Sequence, residues 1–287
     1  MIYVLYHSHC PDGFGAAFAA WKKLGKTAKY LPVSYGDPVP NITKENSEIY
    51  IVDFSFPKPI LEELASKFKV TLIDHHKTAE KDLEGLPFAH FDMTHSGAVL
   101  TYKHFFPGEE VPDFFRYLED RDLWKFEMEH SKEFQAYLGS HPFKFQVWEE
   151  ILNTPKEKWL AEGTAILRRD GAIVDSMTNK AALIEFEGHK IAVVNVSYFW
   201  SEAGHHLLEE RFKEKGIDYA LLYTDVPKDR KRIYSLRSLG DFDVSVIAKK
   251  FGGGGHKNAS GFQFTLNKDP VYPQLMDLIA GVFSDVA

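Results

Sequence analysis

Cysteine is almost absent from this chain: Cys10 is the only one in 287 residues. A disulfide within the chain is thereby excluded, and the usage agrees with a reducing compartment. No apolar stretch approaches the roughly 18 residues that span a bilayer. The amino terminus shows no basic segment followed by an apolar segment and a cleavage site, so a cytoplasmic location without a membrane partner is expected. A basic excess is missing too, since 34 Lys and Arg face 41 Asp and Glu for a net charge of -7. Extended duplex binding leaves a basic footprint, so a long duplex is not expected and a small or short anionic substrate is. There is no internal repeat, and the only low-complexity tract is Gly252-Gly253-Gly254-Gly255. That tetrad lacks the Gly-Lys-Ser/Thr ending of a P-loop, and Gly13-Phe14-Gly15 lacks the third glycine of a dinucleotide fingerprint because Phe18 stands there.

What is present is a chain long enough for two ordinary domains. Strand and helix patterns alternate through the first half: strands at 1–6, 28–34, 48–53 and 69–74, and helices at 13–24 and 57–68. Alternation of this kind predicts right-handed crossovers and a doubly wound, mostly parallel sheet. From Ser96 to about Ile151 the texture changes to aromatic-rich helices, expected at 96–106, 113–120 and 133–138. Residues 155–182 have few breakers and predict one long connecting helix. A smaller α/β domain follows, with strands at 190–196, 219–224, 232–237 and 261–266 and a Ser201-capped helix to about Lys213. The expected division is 1–160, a connecting segment 161–184, and 185–287.

Three of the N-terminal strands end in chemistry. Val70-Thr71-Leu72-Ile73 runs into Asp74-His75-His76, Met1 to Tyr6 runs into His7-Ser8-His9-Cys10-Pro11-Asp12-Gly13, and Ile49 to Val52 runs into Asp53. In a parallel sheet these carboxyl ends open on one edge, where open α/β folds bind ligands, so His7, Asp12, Asp53, His75 and His76 are expected to converge. Carboxylates and imidazoles are the ligands of Mn, Mg, Fe or Zn, and a carboxylate can bridge two ions about 3.5–4 Å apart. Each acid taken singly also reads as a helix cap or strand end; as a set they point to a dinuclear site.

The glycine tetrad is followed by His256-Lys257-Asn258-Ala259-Ser260-Gly261 and then at once by a strand pattern. Such a loop lets the backbone approach a ligand and turns amides toward phosphate or carboxylate oxygens. A plain linker has no use for those side chains.

Asp74-His75-His76 together with Gly252 to Gly261, in that order and across nearly the whole chain, resembles the DHH phosphoesterases with a C-terminal DHHA1 domain. The resemblance implies an N-terminal DHH catalytic domain and a DHHA1 substrate-binding domain. It implies metal ligation by His7, Asp12, a bridging Asp53 and His75, with Asp74 orienting an imidazole and His76 facing the phosphate. A further ligand is an Asp after the DHH strand; Asp120 aligns best and Asp122 stays in contention. Ser235-Leu236-Arg237-Ser238 is similar to the family's substrate-clamping strand, so Arg237, His256 and the amides around Gly254 and Gly255 are expected to hold phosphate across an interdomain cleft. Trp124, Phe126 and Phe199 read as either core aromatics or base-stacking surfaces.

One position departs from the family. Its first motif carries two aspartates one residue apart, and here the earlier is Cys10. Cys10 is either a soft ligand that tilts one site toward Zn or Fe, or a small buried residue that leaves that site short of a ligand; His9 is an alternative donor. The resulting expectation is a Mn-dependent phosphodiesterase or phosphohydrolase, like a 3'-5' exonuclease or oligoribonuclease, with two ions activating a hydroxide for in-line attack. Mg2+, Co2+, Fe2+ or Zn2+ are alternative ions. Expected substrates are short single-stranded oligonucleotides, dinucleotides or small nucleotides. The alternatives are a polyphosphate hydrolase and a non-catalytic nucleotide-binding module with a weakened metal site.

Overall fold

The structure is a computed structural model that describes residues 1–284. Its N-terminal part winds as β1 (Ile2–His7), α1 (Pro11–Leu24), β2 (Ala28–Val33), β3 (Glu48–Val52), α2 (Lys58–Lys67), β4 (Lys69–Asp74), α3 (Lys77–Asp82), β5 (Ala89–Phe91) and α4 (Gly97–Phe105). The strands form a five-stranded sheet in the order β2-β1-β3-β4-β5, with every pair parallel. A strand buried on both faces reads as a continuous apolar run, and that is how β1, β3 and β4 read. Tyr3, Leu5, Ile49, Ile51, Val70 and Leu72 pack with Leu61 and Leu64 of α2 and Ala79 of α3. The alternate residues Val4, Val52 and Ile73 pack with Ala16 and Ala20 of α1 and Phe105 of α4 on the other face.

Alanines dominate the middle of α1, Pro11 occupies its first turn, and Gly25 at φ 53 ends it, all as helix propensity and end geometry favour. Its far side supplies Phe14 and Phe18 to a second core shared with α5 (Asp113–Asp122), α6 (Ser131–Gly139) and α7 (Phe145–Leu152), centred on the fully buried Trp148. The aromatic texture after Ser96 is therefore the filling of a helical layer.

Helix α8 (Lys156–Thr178) ends four residues before the expected 182, where the Thr178 hydroxyl donates back to the Val174 carbonyl at 2.9 Å. The chain divides into two units at residues 168 and 169, inside this helix. The second unit contains β6 (Ala182–Phe186), β7 (His189–Asn195), α9 (Trp200–His206), β8 (Tyr219–Val226), β9 (Lys231–Ser238), α10 (Val244–Lys250), β10 (Gly254–Gly255), β11 (Ala259–Thr265) and α11 (Val271–Ser284). Its six strands run β10-β11-β9-β8-β7-β6, antiparallel except for the β7–β8 pair. Ile191, Val193, Leu221, Tyr234 and Leu236 pack under α10 and α11; Ala192, Val194, Ala220 and Leu222 pack under α9 and the end of α8.

The helix expected to start at a Ser201 cap departs from expectation. Phe199, in the left-handed region at φ 55, precedes it, and after His206 the chain loosens into a π turn over Leu207–Arg211. Ser201 is not available as a cap because its hydroxyl accepts from Arg237. Among the described residues no helix is long and apolar enough to cross a membrane.

Candidate metal centre and phosphate-binding residues

In this strand order the direction of winding reverses between β1 and β3, the position where open α/β sheets hold ligands. His7 is the last residue of β1, and Asp53 directly follows β3 with a left-handed φ of 52. Two glycines bring helices onto these ends. A Cβ on Gly13 would lie 2.3 Å from the His7 carbonyl oxygen, and one on Gly97 would lie 2.5 Å from Asp53 Cβ. Either substitution would push a helix off the sheet edge.

His75 sits at the centre of the acids. Its Nε2 is 3.1 Å from Asp53 Oδ1, 3.5 Å from Asp122 Oδ2 and 3.6 Å from Asp12 Oδ2. His7 Nδ1 is 3.7 Å from Asp53 Oδ2. Asp12 is further fixed by the N-terminus of α4, where the Gly97 and Ala98 amides donate to its two oxygens at 2.6 and 3.1 Å. That geometry favours an anion at a helix start. Asp74 accepts from the His75 amide at 2.8 Å, and its Oδ1 lies 2.6 Å from His76 Nδ1.

Burying three carboxylates together is costly unless cations compensate. Burial, then Asp122 and Asp53, pushes the Asp12 carboxyl well above its ordinary range. Burial also pushes Asp53 up, but the imidazoles of His7 and His75 outweigh it and leave that carboxyl below its usual value. Burial works against a charged His75, yet Asp53, Asp122 and Asp12 together lift it to about 11. Burial and the same acids raise the Cys10 thiol.

The remaining atoms fit divalent ions. Among the described residues, Asp53 Oδ2 and Asp122 Oδ2 are buried without a hydrogen-bond partner. Two donor sets, His7/Cys10/Asp53 and Asp12/His75/Asp122, each offer three ligand atoms within 4.8 Å of one another. Nitrogen, oxygen and sulfur donors so spaced suit first-row transition metals.

Of the residues expected in the site, His7, Asp12, Asp53 and His75 come together, with Asp74 and His76 beside them. Asp120 does not join them. Its carboxylate accepts from the Glu127 and Met128 amides at 2.8 and 3.2 Å and closes the turn after α5. Two residues on, about 200° around the helix, Asp122 faces His75 instead. The structure thus puts Asp122 where Asp120 was expected. His9 is exposed with a φ of 56. Sequence reasoning missed Tyr35, which is 50% exposed and whose ring lies 5.4 Å from that of His7, 4.8 Å from Phe54 and 6.2 Å from His76. The available signal was an aromatic just past the carboxyl end of β2, next to Gly36.

In the second unit, Arg237 on β9 is half-buried and held in one orientation. Its Nη1 donates to Ser235 Oγ at 2.7 Å and the Leu236 carbonyl at 2.9 Å, while Nε and Nη2 donate to Ser201 Oγ at 3.3 and 3.0 Å. The glycine tetrad is not a free loop. Gly254 and Gly255 pair with Gly261 and Ser260 of β11, and a Cβ on Gly253 would lie 2.0 Å from the Gly261 carbonyl oxygen. The turn at His256 is closed by its amide on the Ala259 carbonyl at 2.9 Å and by Ser260 Oγ on the His256 carbonyl at 2.7 Å. Ala259 is in register with Arg237, so the tetrad's turn lies one strand from the guanidinium.

Comparison with known proteins gives independent findings. Residues 190–284 match the family described as the DHHA1 domain. An uncharacterized protein, R106, of Acanthamoeba polyphaga mimivirus is 32% identical over 91% of this chain and 67% of its own length. The oligoribonuclease NrnB of Bacillus subtilis is 25% identical over 94% of this chain and 74% of its own length. Among solved structures, RecJ from Thermus thermophilus in complex with Mn2+ superposes at a TM-score of 0.51 and 14% identity, covering 95% of this chain and 51% of that one. A DHH domain from a member of the s1p family of ribosomal proteins superposes at 0.59 and 16% identity, covering 98% and 86%. The two structural likenesses concern the fold.

Proposed function

The chain belongs to the DHH phosphoesterase family with a C-terminal DHHA1 domain, and from that premise we propose that it is a metal-dependent phosphoesterase. Its substrates are short oligonucleotides, linear dinucleotides or small nucleotides. The observation that carries the reading is the convergence of His7, Asp12, Asp53, His75 and Asp122 at the sheet's switch point, with buried carboxylate oxygens left without hydrogen-bond partners.

The residues divide the work. His7, Asp12, Asp53, His75 and Asp122 would hold divalent ions, which would supply a nucleophile from water at neutral pH and neutralise charge on the phosphoryl oxygens. Asp74 fixes His76 through Nδ1, and the buried carboxylate lifts the imidazole against its burial. The raised proton affinity suits His76 to stabilise or protonate the leaving oxygen. Arg237, preset by Ser201 and Ser235, grips a phosphate, with His256 and the amides at Gly254 and Gly255 as its neighbours.

Tyr35 favours a nucleotide over polyphosphate, because an exposed ring beside His7 and His76 offers a stacking surface of the kind a base uses and polyphosphate cannot. The name of the oligoribonuclease relative supports the same choice. The test is turnover by metal-stripped protein resupplied with Mn2+ on a short RNA, a short DNA, a linear and a cyclic dinucleotide, adenosine 3',5'-bisphosphate and polyphosphate. Cleavage of a nucleotide class that disappears in Asp53→Ala is the expected result. Turnover of polyphosphate alone would replace the substrate reading, and no turnover with the ions bound would leave a binding module.

A further inference from the structure

The two halves of the metal centre are chemically unequal. Asp12, His75 and Asp122 offer two carboxylates and an imidazole, a hard set. The other set exchanges one carboxylate for sulfur: His7, Cys10 and Asp53 each place one ligand atom within 4.8 Å of the others.

Cys10 stands at the position preceding α1, where Ser, Thr, Asp or Asn ordinarily cap a helix; the Gly13 amide faces its sulfur, but no hydrogen bond of capping geometry forms. His9 in the left-handed region turns the chain, and Pro11 holds Cys10 in an extended conformation, φ -118 and ψ 129. The thiol is thereby kept on the His7 side. A second observation points to a ligand at the same spot. Asp53 is 1% exposed, and its Oδ2 has no hydrogen-bond partner. That oxygen lies 3.7 Å from His7 Nδ1, close to the spacing of two donors that each sit about 2.0–2.2 Å from one ion.

We propose that Cys10 is a metal ligand, and that His7, Cys10 and Asp53 form a nitrogen, sulfur and oxygen site for a softer divalent ion of the Zn2+ or Co2+ class, beside a harder Mn2+-type site at Asp12, His75 and Asp122. Thiolate donors select such ions and oxygen donors select Mn2+ or Mg2+, so the centre takes two different metals. The inference rests on reading the cluster as a dinuclear metal centre, but it concerns which ions the centre holds and not which bond it cleaves.

The test follows binding and spectra. Metal-stripped full-length protein is titrated with Co2+, and thiolate-to-metal charge-transfer absorption is recorded beside stoichiometry; competition then follows with Zn2+ and with Mn2+. The expected result is a charge-transfer band in the wild-type protein that Zn2+ displaces and Mn2+ does not. The band should be absent in Cys10→Ser and Cys10→Asp, and the affinity of Cys10→Ser for Zn2+ should fall by more than the roughly 10- to 100-fold that loss of a supporting hydrogen bond costs a metal site. Protection of the wild-type thiol from alkylation by Zn2+, but not by Mn2+, is expected as well and needs no variant. Cobalt bound without a sulfur band, with Zn2+ affinity unchanged in Cys10→Ser, would overturn the ligand assignment while leaving Mn2+-supported turnover and the proposed function intact. Failure to bind any of the three ions would overturn both.

Discussion

His76 Nδ1 lies 2.6 Å from Asp74 Oδ1, and Asp74 is wholly buried at the end of β4. The carboxylate fixes the ring and raises its proton affinity against the pull of burial. Because the folded value is raised, the imidazolium persists to higher pH than a free imidazole does and is lost as pH rises through the raised value. Activity that depends on it should fall on the alkaline side. His76→Ala is expected to lower kcat by about 10²–10⁴ with metal stoichiometry unchanged. Asp74→Asn is expected to move the alkaline limb to lower pH. A pH–rate profile that is the same in Asp74→Asn would contradict the pairing.

Asp120 and Asp122 should separate by phenotype. Asp120→Ala strips the Glu127 and Met128 amides of their acceptor, so it should cost about 1–3 kcal/mol in stability while metal binding survives in the folded fraction. Asp122→Ala should do the reverse, keeping the melting temperature of the metal-free protein and losing an ion. Thermal melts with and without Mn2+ distinguish the two.

Tyr35→Ala should weaken nucleotide substrates by about 1–3 kcal/mol, the worth of stacking one base, and leave turnover of a base-free phosphate ester unaffected. Equal losses on both substrates would assign Tyr35 to holding His7 rather than a base.

Arg237→Lys keeps the charge but loses the fork that Ser201 and Ser235 orient. KM should rise with kcat nearly constant, and Ser201→Ala should give a smaller rise of the same kind. An unchanged KM for every phosphate substrate would remove Arg237 from the clamp.

Much of this site was legible because a fully buried parallel strand cannot hide its pattern. The runs ending at His7, Asp53 and Asp74 declared both the sheet and its ligand edge, and β4 occupies the expected 69–74. What stayed illegible depends on rotation and on distant contact. Asp120 and Asp122 are equivalent acids until the helix phase turns one toward the amides after α5 and the other toward His75. Gly97 gives no sign along the chain that it must clear Asp53. Ser201 reads as a cap until Arg237, 36 residues on, takes its hydroxyl. The glycine tetrad reads as a loop because glycine has poor strand propensity, whereas pairing with β11 overrides it.

On the proposed function, these acids and imidazoles hold two divalent ions. Calorimetric titration of the metal-stripped protein with Co2+, which suits both donor sets, at two pH values and in buffers of different ionisation enthalpy, addresses it most directly. Because Asp12 and His75 both hold protons more tightly than usual in the metal-free site, ion binding must expel protons and tighten as pH rises. The predicted result is uptake of two ions with proton release, the second ion lost in Asp53→Ala. Binding of no ion, or a stoichiometry and proton count unchanged by Asp53→Ala, would contradict the account.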